Sequence, residues 1–269
     1  MESLIEGKSA REILDGFFRR LSTPGEIPLL LCDYDGTLSP FVEDRSEARP
    51  YPGLVDILEK IRSETTTRLV IISGRGVEDI LPLLGMDPPP EIWGSHGLER
   101  YRGPKDYEKL ELPAKEIAKL EEAAESALEI VDAERVEVKP AGVALHFRGV
   151  DSDQTMEEYF RFRQEWELIA YSSRLEVCDF DGGLEIRDPE INKGRAVRKL
   201  LDEQKGALSA YLGDDLTDED AFREMPDFPG GLSILVREEL RESAADLRIT
   251  PPGELENFLD RWISVTLNR

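Results

Sequence analysis

The fold of this chain is decided by the stretch Ile27-Pro28-Leu29-Leu30-Leu31-Cys32, which runs directly into Asp33-Tyr34-Asp35-Gly36-Thr37. The first segment is apolar throughout and does not alternate with polar residues, which is typical of a strand buried on both faces of a parallel sheet. The second segment begins with a carboxylate where the strand ends. Ligands of open parallel sheets bind beyond the carboxyl ends of the strands, so this junction is the first candidate site.

Strands and helices alternate on both sides of that junction. Helical spacing and further apolar runs predict helices over 53–63, 77–84 and 193–204, and strands over 68–72, 91–93, 208–212 and 232–236. Such alternation predicts an α/β fold, a Rossmann-like core in which helices flank a parallel sheet.

The middle of the chain has a different pattern. A charged amphipathic helix over 111–131 precedes two alternating strands, 136–139 and 143–148, and another helix over 154–171 precedes a strand over 174–178. Alternation of this kind is typical of half-exposed antiparallel strands. The sequence therefore predicts a core in two parts, 1–106 and 184–269, with an α+β domain inserted over 107–183.

Composition restricts the classes of partner. The 269 residues include 34 Lys and Arg against 57 Asp and Glu, for a net charge of −23. Proteins that bind nucleic-acid backbones or anionic lipid carry basic surfaces, so neither partner is expected. The chain has no apolar stretch long enough for a membrane span and no signal-peptide pattern at its start. Two cysteines, Cys32 and Cys178, suit a reducing compartment, and we expect a cytoplasmic protein.

Polar clusters follow three of the predicted strands, at Asp33 and Asp35, at Ser73 and Arg75, and at Asp214 and Asp215. Any single aspartate there could be only a turn former or a helix cap. Because the carboxyl ends of parallel strands meet at one edge, we expect the clusters to converge. Crowded carboxylates repel one another, and a divalent cation with oxygen ligands, most plausibly Mg²⁺, relieves that repulsion.

These residue types suit phosphoryl transfer. A carboxylate nucleophile such as Asp33 needs no activating base at neutral pH. Asp35, two residues on, would protonate a leaving oxygen and then deprotonate a water if the site raised its pKa. Ser73 offers a hydroxyl donor and Lys193 an ammonium to the transferring phosphoryl oxygens. Taken alone, Lys193 could equally be an exposed surface lysine.

The combination of motifs resembles the haloacid dehalogenase superfamily. The residues that carry the resemblance are Asp33-Tyr34-Asp35-Gly36-Thr37, the strand ending at Ser73, Lys193, and Gly213-Asp214-Asp215. The resemblance implies that Asp33 forms a phosphoaspartate and that Asp35 is the general acid and base. It also implies that Mg²⁺ binds the Asp33 carboxylate, the Asp35 backbone carbonyl and Asp214, with Asp215 and Asp218 as further ligands or their neighbours.

Within that superfamily the chain resembles the trehalose-6-phosphate phosphatases. The strings involved are Asp33 to Pro40, Ser73-Gly74-Arg75, Gly94 to Glu99, Val136 to Lys139, and Gly213 to Phe222. The resemblance implies that the inserted domain is a mobile cap, that the substrate is trehalose 6-phosphate, and that a trehalose-6-phosphate synthase is a functional partner. Expected substrate-binding residues are Gly74, Arg75, Ser95, His96, Gly97, Glu137, Lys139, His146, Arg148 and Glu185.

Several alternatives stay open at this level. Arg75 could anchor its loop without touching substrate, His96 could be a turn residue, and Glu137 with Lys139 could be an exposed ion pair on one face of a strand. The core motifs would equally suit a phosphatase for sucrose phosphate or mannosyl-3-phosphoglycerate, or a phosphomannomutase. A regulatory domain that binds a sugar phosphate without hydrolysing it is a further alternative.

Overall fold

The computed structural model describes residues 1–269 apart from 6, 24, 26, 43, 148–151, 181, 228–229 and 268–269. Its strands, in chain order, are β1 (Glu2–Ser3), β2 (Leu29–Cys32), β3 (Arg68–Ile72), β4 (Glu91–Gly94), β5 (Glu99–Gly103), β6 (Asp106–Lys109), β7 (Val136–Lys139), β8 (Gly142–His146), β9 (Glu176–Phe180), β10 (Gly183–Arg187), β11 (Ser209–Gly213), β12 (Gly231–Val236) and β13 (Leu247–Ile249). Its α-helices are α1 (Ala10–Leu21), α2 (Leu54–Glu64), α3 (Val77–Leu84), α4 (Ala114–Leu128), α5 (Ser152–Tyr171), α6 (Lys193–Glu203), α7 (Glu219–Glu224) and α8 (Gly253–Thr266).

The chain divides into two compact units. The larger comprises residues 1–108 and 192–269, and the smaller comprises 109–191. The structure thus assigns 184–191 to the smaller unit, whereas the sequence analysis placed this segment in the second part of the core. The physical reason is β10, which was not predicted and which pairs with both β8 and β9.

A parallel sheet organises the larger unit, as predicted. Across its described residues the strand order is β1-β13-β12-β11-β2-β3-β4-β5-β6, and the strands from β13 to β4 run parallel. The first strand of the quoted stretch, β2, lies between β11 and β3. The carboxyl ends of these three strands, which carry the polar clusters, are therefore neighbours.

Both faces of β2 are covered, which explains its unbroken apolar sequence. Leu30 and Cys32 pack into the core cluster formed with α1, α2, α3 and α8. Leu29 and Leu31 pack on the other face, against α6 and α7. All four side chains are fully buried. The α/β fold class is confirmed.

Three helices, α1, α7 and α8, lie outside the predicted set. A capping box between Ser9 and Glu12 begins α1. Its Phe17 contacts Trp262 of α8 with ring centroids 5.9 Å apart, and Phe18 contacts Phe258 of the same helix at 5.3 Å. Helices α1 and α8 complete one face of the core. No helix in the described ranges is long and apolar enough to cross a membrane.

The smaller unit is an antiparallel sheet with helices on one face. Its strand order is β7-β8-β10-β9, and all three pairings are antiparallel. The apolar residues Val143, Leu145, Leu184 and Ile186 face α4 and α5 and form one core with Trp166. Because side chains alternate along a strand, the residues between them point to the opposite face.

A network of ion pairs joins β3, β4, β5 and α6 at one side of the larger unit. The buried guanidinium of Arg100 donates to Glu203 at 2.6 and 2.8 Å and to Glu91 at 2.8 Å. Arg68 donates to the same two carboxylates at 2.8 and 3.0 Å. The hydrogen bond from Arg100 lowers the pKa of Glu203 to about 2. The network favours the ionised form of Glu203.

We expect Glu203→Gln to lower the free energy of unfolding by about 1 kcal/mol at pH 7, because Glu203 is one-third exposed and the pair is partly screened. The pKa of Glu203 is lower in the folded than in the unfolded chain, so its contribution is present above about pH 4.5 and is lost towards pH 2. Urea unfolding at pH 7, 5 and 3 should show the difference between wild type and variant shrinking as pH falls. Exposed Glu121→Gln is the control, and a difference that does not change with pH would contradict the expectation.

Candidate active site

Asp33 stands at the centre of the candidate site. Its backbone N–H donates to the carbonyl of Leu212 at 2.8 Å, which carries the β2–β11 ladder one residue past the end of β2. The carboxylate is buried. Its Oδ1 accepts a hydrogen bond from Lys193 Nζ at 2.7 Å, and its Oδ2 lies 3.4 Å from Thr37 Oγ1. Sheet pairing therefore fixes the backbone of the predicted nucleophile.

Lys193 is a buried residue of the site and not a surface lysine. It begins α6, where Asn192 caps the helix, and its Nζ also donates to Asp218 Oδ1 at 2.8 Å. Burial alone would lower the pKa of Lys193, but the charges of Asp218 and Asp33 raise it well above the usual value. The ammonium therefore stays protonated and neutralises part of the carboxylate charge.

Asp218 is the most heavily bonded carboxylate of the site. Its Oδ1 accepts from Lys193 Nζ and from the Tyr211 hydroxyl at 2.5 Å, and its Oδ2 accepts from the backbone N–H groups of Asp214 and Asp215 at 2.9 and 3.0 Å. A carboxylate offers about four acceptor positions, and these four donors occupy them. Tyr211 was not predicted, although a tyrosine within a strand buried on both faces requires a partner for its hydroxyl.

Asp214, in contrast to Asp218, lacks hydrogen-bond donors around its carboxylate among the described residues. Both of its carboxylate oxygens are buried, and neither has a hydrogen-bond partner among the described residues. Gly36, whose φ is +80°, comes so close that a Cβ placed there would lie 2.2 Å from Asp214 Oδ2. Only glycine fits this left-handed turn beside the carboxylate. An orphaned buried carboxylate is costly unless a cation pairs with it.

The electrostatics fit a divalent cation. Ligand atoms of Asp33, Asp214 and Asp218 lie within 4.8 Å of one another. Burial raises the pKa of Asp33 to about 8 despite the opposing charge of Lys193, and burial together with the charges of Asp33 and Asp218 raises the pKa of Asp214 to about 10. A metal would stabilise both ionised forms. Because Asp218 is already filled with donors, Asp33 and Asp214 are the stronger candidates for direct ligands.

Asp215, also expected near the metal, caps a short helical turn. Its Oδ1 accepts from the backbone N–H and the hydroxyl of Thr217 at 2.8 and 2.6 Å. Burial would raise the pKa of Asp215, but the charge of Lys193 and the hydrogen bond from Thr217 lower it to about 2. Arg241, which was not predicted, donates to the backbone carbonyl of Asp215 at 2.7 Å and so supports the same loop.

Asp35 and Arg75 form a bidentate pair. Arg75 Nε and Nη2 each donate to the Asp35 carboxylate at 2.6 Å, and Nη1 donates to the carbonyl of Arg45 at 2.5 Å. Ser73, buried beyond β3, accepts the backbone N–H of Arg75 at 3.1 Å. Arg75 thus anchors its loop and holds Asp35. This is the alternative to the substrate contact that the resemblance implies for Arg75. Asp35 would have to leave the guanidinium before it could protonate a leaving group.

The segment 94–97 brings His96 beside the loop after β3. Ser95 and His96 both have positive φ, 50° and 56°, which is uncommon for residues with side chains. The His96 ring lies so close to Gly74 that a Cβ there would be 2.7 Å from Nε2. Ser95 is buried with its hydroxyl 3.3 Å from Glu99, and Gly97 packs against Ala196 of α6. The backbone N–H groups of Ser95 and His96 donate to the carbonyls of Arg75 and Ser73 at 2.7 and 2.9 Å, so the segment is bonded to the loop after β3.

The other expected sugar contacts share one face of the smaller sheet. His146 Nε2 lies 3.1 Å from Glu137 Oε2, and Lys139 Nζ donates to Glu185 Oε1 at 3.0 Å. The structure thus brings all four side chains together, in two pairs. Arg148 lies outside the described residues.

Two solved structures show the fold that this chain shares. The structure is similar to a haloacid dehalogenase-like hydrolase from B. subtilis, with a TM-score of 0.59 and 13% identity over 87% of this chain and 99% of that one. It is also similar to the trehalose-6-phosphate phosphatase of Aspergillus fumigatus, with a TM-score of 0.74 and 23% identity over 98% of this chain and 99% of that one.

The sequence determines the family. The trehalose-phosphatase family model matches residues 31–249, so the chain belongs to that family. The trehalose-phosphate phosphatase of Mycobacterium leprae is 32% identical over 253 residues, which are 87% of this chain and 57% of the relative. That of Mycobacterium tuberculosis strain H37Rv is 31% identical over 97% of this chain and 66% of its own length. The chain therefore spans less than two-thirds of these relatives.

We expect Asp214→Asn to stabilise the metal-free protein by about 2 kcal/mol at pH 8, because Asp214 must take up a proton to be buried without charge, whereas the asparagine amide is neutral at any pH. The pKa of Asp214 rises from 3.8 to about 10 on folding, so wild-type stability should fall as pH rises through that range. Asp214→Asn should lack this part of the decline, and Mg²⁺ should raise the Tm of the wild type but not of Asp214→Asn.

Thermal unfolding from pH 5 to pH 9, with chelator and with Mg²⁺, measures both effects. The exposed residue Asp202 on α6 provides the matched control, Asp202→Asn, which should respond to Mg²⁺ as the wild type does. An equal rise in Tm for Asp214→Asn and wild type would exclude Asp214 as a ligand.

Proposed function

We propose that this protein hydrolyses trehalose 6-phosphate to trehalose and inorganic phosphate, with Mg²⁺ as its cofactor. The observation that carries the proposal is the buried Asp33, bonded to Lys193 and adjacent to the orphaned carboxylate of Asp214, in a chain of the trehalose-phosphatase family. A nucleophile, a fixed positive charge and a place for a cation are what phosphoryl transfer requires.

In the first half of the proposed reaction, an Asp33 oxygen attacks phosphorus. The new bond joins that oxygen to phosphorus, and the bond between phosphorus and the sugar 6-oxygen breaks. Lys193 keeps its proton and offsets charge on the transferring group, while Ser73 supplies a hydroxyl donor. Asp35 exchanges its pairing with Arg75 for the sugar oxygen and gives that oxygen a proton, which Asp35 holds at the start of the cycle and recovers from water in the second half.

In the second half, Asp35 takes a proton from a water molecule, and that water attacks the phosphorus of the phosphoaspartate. The bond to Asp33 breaks, which releases phosphate and regenerates the carboxylate. Bound Mg²⁺ would draw charge from the phosphoryl oxygens. Asp33, Asp214 and the backbone carbonyl of Asp35 would hold it, with Asp215 and Asp218 beside them.

We further propose that recognition of the sugar comes from the smaller unit, acting as a cap. Glu137, Lys139, His146, Arg148 and Glu185 would bind hydroxyl groups, and Ser95, His96, Gly74 and Gly97 would complete the contacts from the core. Rejection of other sugars would follow from polar groups left unpaired by the wrong substrate. A cytoplasmic location and a functional link to a trehalose-6-phosphate synthase remain predictions.

Phosphate release from trehalose 6-phosphate, sucrose 6-phosphate and glucose 6-phosphate tests the activity and the substrate together. We expect the first to give the highest kcat/KM, by at least about tenfold, and chelator to abolish release from all three. Preference for a different sugar phosphate would support the phosphatase activity but contradict the assignment of trehalose 6-phosphate as the substrate.

Asp33→Asn tests the chemistry itself. The amide cannot attack phosphorus, so we expect turnover to fall by about 10³-fold or more, with the far-ultraviolet circular dichroism spectrum unchanged. Asp202→Asn should keep wild-type turnover. If the wild type bound trehalose 6-phosphate and Mg²⁺ in calorimetry without releasing phosphate, the regulatory alternative would replace the proposed function.

A further inference from the structure

An aromatic ring lies among the polar side chains of the smaller sheet, and neither the motifs nor the proposed mechanism uses it. Gly183 of β10 pairs with His146 of β8 on one side and with Phe180 of β9 on the other. The three residues therefore form one row across the sheet. Directly opposed residues of antiparallel strands project from the same face, so Phe180 shares the face that carries Glu137, Lys139 and Glu185.

Gly183 allows the Phe180 ring to lie over the middle of this row. A Cβ at position 183 would lie 1.9 Å from Phe180 Cζ and 2.3 Å from Cε1, so any side chain there would displace the ring. The ring meets His146 edge to face, with centroids 5.1 Å apart and planes at 74°. His146 in turn lies 3.1 Å from Glu137. The ring is thus fixed beside a polar pair.

The ring is not part of the hydrophobic core of this unit. That core lies on the opposite face, where the helices cover Val143, Leu145, Leu184 and Ile186, and Phe180 is not among its described members. Phe180 remains half-buried. The next row on the same face runs from Cys178 beside Phe180 through Glu185 and Ala144 to Glu137. Glu137 pairs with His146 and Glu185 with Lys139, so charged side chains lie next to the ring.

A flat apolar ring within a polar network matches the chemistry of a pyranose. Such a sugar has hydroxyl groups around its rim, which suit carboxylates and an ammonium, and C–H groups on its faces, which suit an aromatic surface. Ligand sites commonly combine apolar or aromatic surface with a few placed polar groups. The two pairs offer donors and acceptors for the rim, and within the described part of this face Phe180 is the aromatic carbocycle available for a C–H face.

We propose that Phe180 is a specificity-determining residue whose ring, held in place over Gly183, packs against a pyranose ring of the leaving sugar. The inference rests on the proposed function and extends it to the basis of substrate choice. It implies that recognition requires an aromatic surface as well as the charged residues.

The test compares Phe180→Leu, Phe180→Tyr and Phe160→Leu with the wild type. Phe160 is an exposed residue of α5 in the same unit, so its replacement is a matched control for loss of a ring. For each protein, kcat/KM is measured on trehalose 6-phosphate and on p-nitrophenyl phosphate, which has no sugar. We expect the ratio of the two to fall about tenfold in Phe180→Leu, through a higher KM for the sugar phosphate.

Phe180→Tyr, which keeps the ring, should restore the ratio to within about threefold of wild type, and Phe160→Leu should leave it unchanged. A ratio that stays at the wild-type value in Phe180→Leu would overturn the inference while leaving the proposed function intact. An equal loss in Phe180→Leu and Phe180→Tyr would also overturn it, since the ring alone would then not account for the effect.

Saturation-transfer NMR with trehalose separates failure of the inference from failure of the proposed function. Transfer to trehalose in the wild type that is lost in Phe180→Leu and retained in Phe180→Tyr would support the inference even if the protein hydrolysed no trehalose 6-phosphate. Absence of transfer in the wild type, or transfer that persists in Phe180→Leu, would overturn it.

Discussion

The structure of the site depends on one buried ammonium group. Lys193 Nζ bonds at once to Asp33 and Asp218, both of which are buried. Without it, the described residues would supply no bonded cation to the cluster of Asp33, Asp214 and Asp218. Buried ion pairs are stable only when the remaining lone pairs are also satisfied. Asp218 meets that condition through Tyr211 and two backbone N–H groups. Asp214 does not, and this difference singles it out as the carboxylate that requires a cation.

The acidic residues of the site differ in their hydrogen-bond partners and therefore in their roles. Asp218 organises the loop and Lys193, Asp215 caps a turn, and Asp35 is bonded to a guanidinium. Asp33 Oδ2 has one long contact, to Thr37 Oγ1 at 3.4 Å, and neither oxygen of Asp214 has a hydrogen-bond partner among the described residues. A cluster that looks uniform in sequence is therefore chemically differentiated by its hydrogen-bond donors.

The parallel sheet and the position of the site could be predicted from the sequence, because a strand buried on both faces, such as β2, is apolar at every position. The apolar run, the carboxylates after it and the convergence of three strand ends all follow from the rules of parallel sheets. The pairing of Asp35 with Arg75 could not be predicted, because it depends on the orientation of two side chains that are 40 residues apart in the chain. The strand β10 alternates Leu184, Glu185 and Ile186, but three residues next to a glycine turn are too short a pattern to distinguish a strand of the insert from the return to the core. The Ser9–Glu12 capping box before α1 was a local signal and would have predicted that helix.

The division of the larger unit into 1–108 and 192–269 has a consequence for how the chain is made. β2 has β3 on one side from the start, but its other neighbour, β11, leaves the ribosome only after the whole smaller unit, and β1 pairs with β13 near the far end of the chain. The smaller unit is continuous, and its strand pairings span at most 45 residues, from Gly142 to Arg187, whereas Leu29 of β2 and Ser209 of β11 are 180 residues apart. Contacts of short sequence separation form faster than distant ones. We therefore expect the insert to complete its core first during synthesis, while the strand that ends before Asp33 keeps an open edge until β11 is made.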